Sequence, residues 1–339
     1  MLPHIRNAVS RATEIYHDSG AKARVEQDGY TRVDPFLIAG GEGVPVLLRP
    51  LEKLLGAFIR EDVSGILVNS ERSAGLIHLT CAHELGHYFM GHDTTGDETM
   101  DFGPRAAHVE QEADWFAYHL LASRGVLANI MRRKHWSVQS LKNPFVLYQL
   151  SLRLGISYTA TGWSLVRQKI LNADQVKDLL KVQPIEIKRA LLEEREFDSR
   201  KEVWLLDESD RASVLEPRAD DQVLVRLKSN ASSGYLWSLD ELASEGFEVR
   251  PVPRSPEQIP DPEQLVFGGV ATAEFLLTLD EAAKSRNGDP LVLAMKEQRP
   301  WLKGAEANAT FETRTKYEQI GPGLTRAAKQ QLLRESSLA

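Results

Sequence analysis

The sequence predicts an α+β protein in three parts, and three observations predict it. An apolar, helical-looking run, Leu76 to Met90, carries His83-Glu84-Leu85-Gly86-His87 and follows several short strand-like runs. Residues 124–197 then read as helix throughout. From Val203 onward the pattern becomes short β-like runs separated by turn residues, which suggests a β-sandwich. These shifts place boundaries at 1–123, 124–197 and 198–320, with a short helix and tail over 321–339.

Taken in order, Ile5, Ala8, Val9, Ala12, Ile15 and Tyr16 form a helical stripe that stops near Gly20. Asp34-Pro35 reads as an N-cap followed by proline at the first helical position. Val44–Leu48, Ala57–Ile59 and Gly65–Asn69 are strand candidates for a small sheet, with Gly65–Asn69 as the edge that would hold an extended peptide. In the helix that follows, His83 and His87 lie four apart and share a face, so both imidazoles can reach one metal ion. Two neutral imidazoles suit tetrahedral zinc and leave room for further ligands. Glu84 stands beside that pair, where it can take a proton from a water that zinc has made acidic.

The third ligand is open among three residues. Met90 occupies the place where one class of zinc peptidase needs a glycine, which weakens Asp93 as the ligand. The segment Glu110-Gln111-Glu112-Ala113-Asp114 offers a carboxylate from a second helix, and Glu110 is favoured over Glu112 and Asp93. Asp114, four residues on, can accept the outer N–H of a ligand histidine. Ala113, Phe116, Ala117, Leu120 and Leu121 would pack that helix on the first.

These residues carry a resemblance. Glu-x-Glu-Ala-Asp-x-Phe-Ala after His-Glu-Leu-Gly-His-x-x-x-Gly-His resembles the ImmA/IrrE family of bacterial metallopeptidases, as do Gly65–Asn69 and Leu150–Tyr158. The resemblance covers roughly residues 1–185. It implies a gluzincin-like fold, zinc on His83, His87 and Glu110, and Glu84 as the base. It also implies a substrate class, repressor-like regulators of mobile elements or stress genes. Asp114 departs from the asparagine more usual in the family, and resembles thermolysin-like sites instead.

Within 124–197, Gly155 reads as a helix stop, and Ser157 and Asn172 as caps of the next two helices. The helix that stops at Gly155 and the one capped by Ser157 resemble a helix-turn-helix, but the second of them offers only Arg167 and Lys169, both near its end. DNA contact is therefore not favoured. Beyond 203, the loops Asn230–Trp237, Phe267–Val270 and Arg299–Trp301 resemble, in order, the binding loops of chagasin-type inhibitors of papain-like cysteine peptidases. The first loop has Ala231 where that family has proline, and the middle loop has fewer glycines. Asn230, Gly234, Arg299 and Trp301 are the candidate partner-binding residues, either in an inhibitor or in an immunoglobulin-like module that recruits a substrate.

Composition points to a cytoplasmic enzyme. The 339 residues contain one cysteine, Cys81, which excludes an internal disulfide and fits a reducing compartment. No signal-peptide pattern or membrane-length apolar run is present, and the net charge of −7 argues against a whole-protein affinity for nucleic acid. All nine histidines precede residue 136, so metal chemistry belongs to the N-terminal part. The expectation is a zinc endopeptidase cutting a repressor-like transcription factor. A non-proteolytic regulator that binds DNA or a repressor, and a cysteine peptidase inhibitor, are the alternatives.

Overall fold

The computed structural model describes residues 2–62, 64–97, 108–193, 195, 197–244, 246–252, 271–279, 290–302 and 306–338. The chain divides into two compact units. Residues 1–132, 136–184 and 319–339 form the first, and residues 133–135 and 185–318 form the second. The helices that follow residue 123 thus lie, up to Pro184, in the same unit as the motif helix.

The first unit opens with α1 (Pro3–Asp18), which buries Ile5, Ala8, Ala12, Ile15 and Tyr16 along one face. A short helix α2 (Ala21–Glu26), not visible in the apolar pattern, follows at Gly20. Helix α3 (Pro35–Gly41) starts as expected: the Asp34 carboxylate accepts from the backbone N–H of Phe36 and Leu37. Strands β1 (Val46–Arg49), β2 (Gly56–Ile59) and β3 (Gly65–Asn69) then build a sheet. It is completed by β4 (Thr95–Asp97) and by β13 (Gly323–Leu324), and its order is β13-β1-β3-β2-β4. β1 and β3 run parallel, and the other pairs are antiparallel. β3 is paired on both sides, so the expected edge strand is central. Among the described residues β4 is the outer strand beside β2. Sheet order is a non-local property, and the local run Gly65–Asn69 carries no information about it.

Helix α4 (Ala74–Met90) is buried all round from Ile77 to His87, which explains its nearly unbroken apolar run. It ends on Gly91 at φ 77°, a left-handed cap. Cys81 is buried in it, as expected of a packing residue, and burial pushes its thiol well above the ordinary range. Helix α5 (His108–Leu121) packs on both α4 and α1, and it buries Ala113, Phe116, Ala117, Leu120 and Leu121. Phe89 and Phe116 stack with ring centroids 5.6 Å apart. The helices cross closely at Gly86, where a Cβ would come within 2.8 Å of Ala113 Cα and 3.0 Å of its carbonyl oxygen.

Helices α6 (Arg124–Arg133), α7 (Pro144–Leu154), α8 (Tyr158–Arg167), α9 (Ala173–Leu179) and α10 (Pro184–Leu191) follow. Gly155 caps α7 at φ 69°, Ser157 caps α8 and Asn172 forms a capping box with Gln175 at α9, each where the sequence signals it. Phe145, at the start of α7, is exposed, while Leu147, Leu150 and Leu154 are buried. The α7–α8 turn lies against the start of α4. His78 Nδ1 is 2.9 Å from the Gly155 carbonyl oxygen, and a Cβ at Gly75 would sit 2.6 Å from the Ser157 nitrogen.

The second unit contains two four-stranded sheets. Strands β5 (Val203–Leu206), β7 (Gln222–Ser229), β9 (Phe247–Pro251) and β10 (Ala271–Leu279) form the order β5-β7-β10-β9. Strands β6 (Val214–Leu215), β8 (Leu236–Leu239), β11 (Leu291–Gln298) and β12 (Ala309–Thr315) form β6-β12-β11-β8. β6, β8 and β12 lack a recognisable apolar run. β12 buries Phe311, Thr313 and Thr315, so its inward face is mostly threonine. Lys134 is buried and paired with Asp207 at 2.8 Å and Asp210 at 2.7 Å. Finally α11 (Arg326–Leu338) returns to the first unit and packs on α3, where Ala327 meets Gly40.

Gly86→Ala is expected to lower stability by about 1–2 kcal/mol. The added methyl meets backbone, which cannot rotate away, and overpacking outweighs the gain in helix propensity. Gly125→Ala in α6, where a Cβ finds only the Ser123 hydroxyl at 3.8 Å, serves as the control and should be neutral or stabilising. Thermal unfolding of both variants checks the contrast.

Candidate functional site

The site is built where α4 faces α5. His83 and His87 sit one helical turn apart on α4, and both rings are buried. Their Nε2 atoms are 3.1 Å apart. Glu110 enters from the first turn of α5, with Oε2 3.3 Å from His83 Nε2 and Oε1 3.7 Å from His87 Nε2. The three residues offer ligand atoms that all lie within 4.8 Å of one another. Two imidazole nitrogens and a carboxylate crowded into one half-buried space form a donor set that fits a cation such as zinc. The close crossing at Gly86 and Ala113 brings Glu110 to this point, because any thicker contact would hold α5 away.

Asp114 lies one turn further along α5, and its Oδ1 is 3.0 Å from His83 Nδ1. Burial pushes its carboxyl above the ordinary range. The hydrogen bond from His83, its charge and that of Arg167 pull the other way. Arg167 itself lies over the Tyr118 ring, 3.9 Å from the centroid, and Tyr118 is pushed up to about 12, chiefly by burial. Glu84 is fully buried, and a Cβ at Gly56 of β2 would fall 2.6 Å from Glu84 Oε1. Gly56 therefore makes room for the carboxylate against the sheet.

Of the other third-ligand candidates, Asp93 is exposed after α4 and Glu112 turns to His92, at 3.0 Å. His92, which the sequence offers with Tyr88 and His108 as a candidate for stabilising an oxyanion, has its Nδ1 2.9 Å from His87 Nδ1 and so joins the site beside that histidine. The available signal was its place directly after the Gly91 cap, which folds the chain back onto the last turn of α4. His108, by contrast, stacks on His4 with centroids 4.6 Å apart, and Tyr88 packs on Phe58 and Phe89.

In the second unit, two of the three singled-out loops come together. The Trp301 ring lies on Gly234, where a Cβ would be 2.6 Å from Cη2, and Gly234 has φ 82°. Trp301 remains 64 % exposed. The Arg299 guanidinium lies 4.6 Å above the centre of the Tyr235 ring. Asn230 is committed inward: its backbone N–H and side-chain amide donate to Glu297 at 2.7 and 2.8 Å, and Asn308 donates to the same carboxylate at 2.7 Å. The indole of Trp237 is buried and donates to the Lys228 carbonyl at 2.7 Å. The loop Phe267–Val270 lies outside the described residues.

Residues 39–162 match the model of a peptidase family, Peptidase_M78, described as the IrrE N-terminal-like domain. The match spans β1–β4, α4, α5 and the α7–α8 turn, and so includes the two helices that assemble the site. Among solved structures, the chain is similar to the cysteine protease inhibitor EhICP2 from Entamoeba histolytica, at 16 % identity and a TM-score of 0.26, over 36 % of this chain and 100 % of that one. It is also similar to amebosin, at 19 % identity and a TM-score of 0.25, over 34 % of this chain and 98 % of that one. Scores of this size carry no argument about function. A comparison with curated proteins found no match. No helix among the described residues is long and apolar enough to cross a membrane.

Glu297 gives the loop cluster a pH dependence. Burial alone would raise its carboxyl, but the hydrogen bonds from Asn230 and Asn308 outweigh that and hold it below the ordinary glutamate range. In the unfolded chain Glu297 takes its proton near about 4.3, earlier than in the native state. The stabilisation is therefore complete above that value and is lost as pH falls through the lower native one. Glu297→Ala should cost about 1–2 kcal/mol at neutral pH by removing the hydrogen bonds that Asn230 and Asn308 make to a charged acceptor. It should also flatten the acid limb of a stability-versus-pH curve. An unchanged acid limb would remove Glu297 as its source.

Proposed function

We propose that the chain is a zinc-dependent endopeptidase of the gluzincin type that cuts a regulatory protein in the cytoplasm. Its substrate class is a helix-turn-helix repressor of a mobile element or of stress or defence genes. The observation that carries this reading is the convergence of His83, His87 and Glu110 beside Glu84, within the stretch that matches a peptidase family. Zinc held by those three residues would supply Lewis acidity and bring the pKa of water near about 7. Glu84 takes the proton from the attacking water and returns it to the leaving amine. Asp114 fixes the ring of His83 through Nδ1. The outer strand β4 is the surface on which an extended peptide could add as a further strand.

The two sheets of the second unit are read as an immunoglobulin-like β-sandwich that recruits the substrate by raising its local concentration. Trp301 and Arg299 are residue types that dominate binding hot spots, and Trp301 is largely exposed. DNA contact by α8 is disfavoured, since Arg167 is engaged with Tyr118. The inhibitor alternative rests on the same exposed Trp301.

Purified protein should hold about one zinc per chain, and His83→Ala, His87→Ala and Glu110→Ala should each lose it, while Asp93→Ala keeps it. Metal analysis reads this directly. Zinc retained by Glu110→Ala and lost from Asp93→Ala would move the site to another peptidase class. Glu84→Gln should keep the metal and stop cleavage. A normal rate of cutting by that variant would overturn the peptidase mechanism and favour a non-proteolytic regulator.

Recruitment is tested by capture of a candidate repressor with Glu84→Gln protein, with and without Trp301→Ala. Loss of one buried aromatic anchor should cost about 2 kcal/mol or more, roughly thirtyfold in affinity, and leave zinc content unchanged. Equal capture would refute the role of Trp301, and tight inhibition of papain by the full chain would favour the inhibitor alternative. A deletion from residue 200 onward is unsuitable, because it also removes β13 and α11 from the first unit.

A further inference from the structure

The proposed metal site contains a second carboxylate support that motif spacing does not announce. After α4 ends, Gly91 turns the chain so that the His92 N–H donates to the His87 carbonyl at 3.0 Å. The two rings then meet with centroids 5.0 Å apart, and their Nδ1 atoms are separated by 2.9 Å. On the far side of His92, Nε2 is 3.0 Å from Glu112 Oε2. Both side chains are largely shielded: 9 % of His92 and 16 % of Glu112 is exposed.

A contact between two ring nitrogens needs one proton and only one, so the row has a direction. A carboxylate only accepts, which places a proton on His92 Nε2. With a single proton on His92, at Nε2, its Nδ1 presents a lone pair, and the proton shared at 2.9 Å belongs to His87 Nδ1. His87 in turn is left with its lone pair at Nε2, 3.1 Å from the Nε2 of His83, whose proton is at Nδ1 toward Asp114, so two lone pairs converge beside Glu110, a pairing that a shared cation and not a proton satisfies. We infer that Glu112 and His92 are positioning residues that act in series to fix the tautomer and ring orientation of His87 for metal binding. The inference rests on the metal reading above and deepens it. Three alternate residues of α5 then divide the work. Glu110 faces the metal position, Asp114 supports His83 directly and Glu112 supports His87 through an interposed imidazole.

Two measurements on the full-length protein test this. In the first, chelator competition gives the zinc affinity of the wild type, Glu112→Ala, His92→Phe and Glu112→Gln. Glu112→Ala and His92→Phe should bind roughly 10–100-fold more weakly. Glu112→Gln should stay within a few fold of the wild type, because its amide oxygen still accepts from His92. Unchanged affinity in both disruptive variants overturns the inference. In the second, selective ¹⁵N-histidine NMR of the wild type should show His92 protonated at Nε2 and His87 at Nδ1, and Glu112→Ala should mix the His92 tautomers. Finding wild-type His92 protonated at Nδ1 alone would refute the series. The NMR measurement needs no metal, so it decides the inference even if the wild-type chain binds no zinc. That last result would count against the metal reading instead.

Discussion

The backbone contact between Gly86 and Ala113 is the constraint on which the site depends. The α4 turn carrying the two histidines approaches α5 at van der Waals distance, with no side chain between. Only at that separation can a glutamate from α5 reach into the space between two imidazoles on α4. The same contact explains why small residues occupy the middle of both helices while bulkier pairs such as Phe89 and Phe116 sit further along. Gly56 solves a related problem on the other side of α4, where the sheet must come close without displacing the Glu84 carboxylate. Two absent methyl groups thus set the thickness of the layers around one buried helix.

Local chemistry was well represented in the sequence. Asp34, Ser157 and Asn172 act as caps where their side chains can reach backbone N–H groups within three residues, and such short-range partners leave a readable pattern. That His83 and His87 share a face was readable because helical geometry turns spacing into direction, whereas Glu110 reaches them from a second helix and stood as one of three candidates. The parts that were not readable are those settled by distant partners. β3 looks like any half-buried strand, and only its pairing with both β1 and β2 makes it central. β12 escaped notice because its inward face pairs Phe311 with threonines, which bury well but do not register as apolar. The contact of His92 with Glu112 joins residues twenty apart in sequence, and although each lies in a readable motif, neither motif says that the two meet.

The loop cluster of the second unit follows a different logic. Its order comes from a buried anion, Glu297, that collects three amide donors from two loops. The exposed aromatic is then seated on a glycine held at positive φ. Asn230, one of the residues singled out for a partner, also braces this arrangement through Glu297, and Trp301 remains largely exposed beside it. A buried charge with full hydrogen bonding makes a rigid loop base, at the cost of stability whenever one donor is lost.

The return of residues 319–339 to the first unit has a consequence for synthesis. β13 completes one edge of the sheet beside β1, and α11 covers α3, yet both are translated after the whole second unit. A ribosome that has already released the metal-site helices still holds the pieces that close their sheet. The first unit therefore finishes folding only once the second has emerged, and its last contacts are among the longest-range in the chain, which makes them slow to form. A chain halted at any point within the second unit would leave the first without β13 and α11, so completion of the first unit is tied to synthesis of the second.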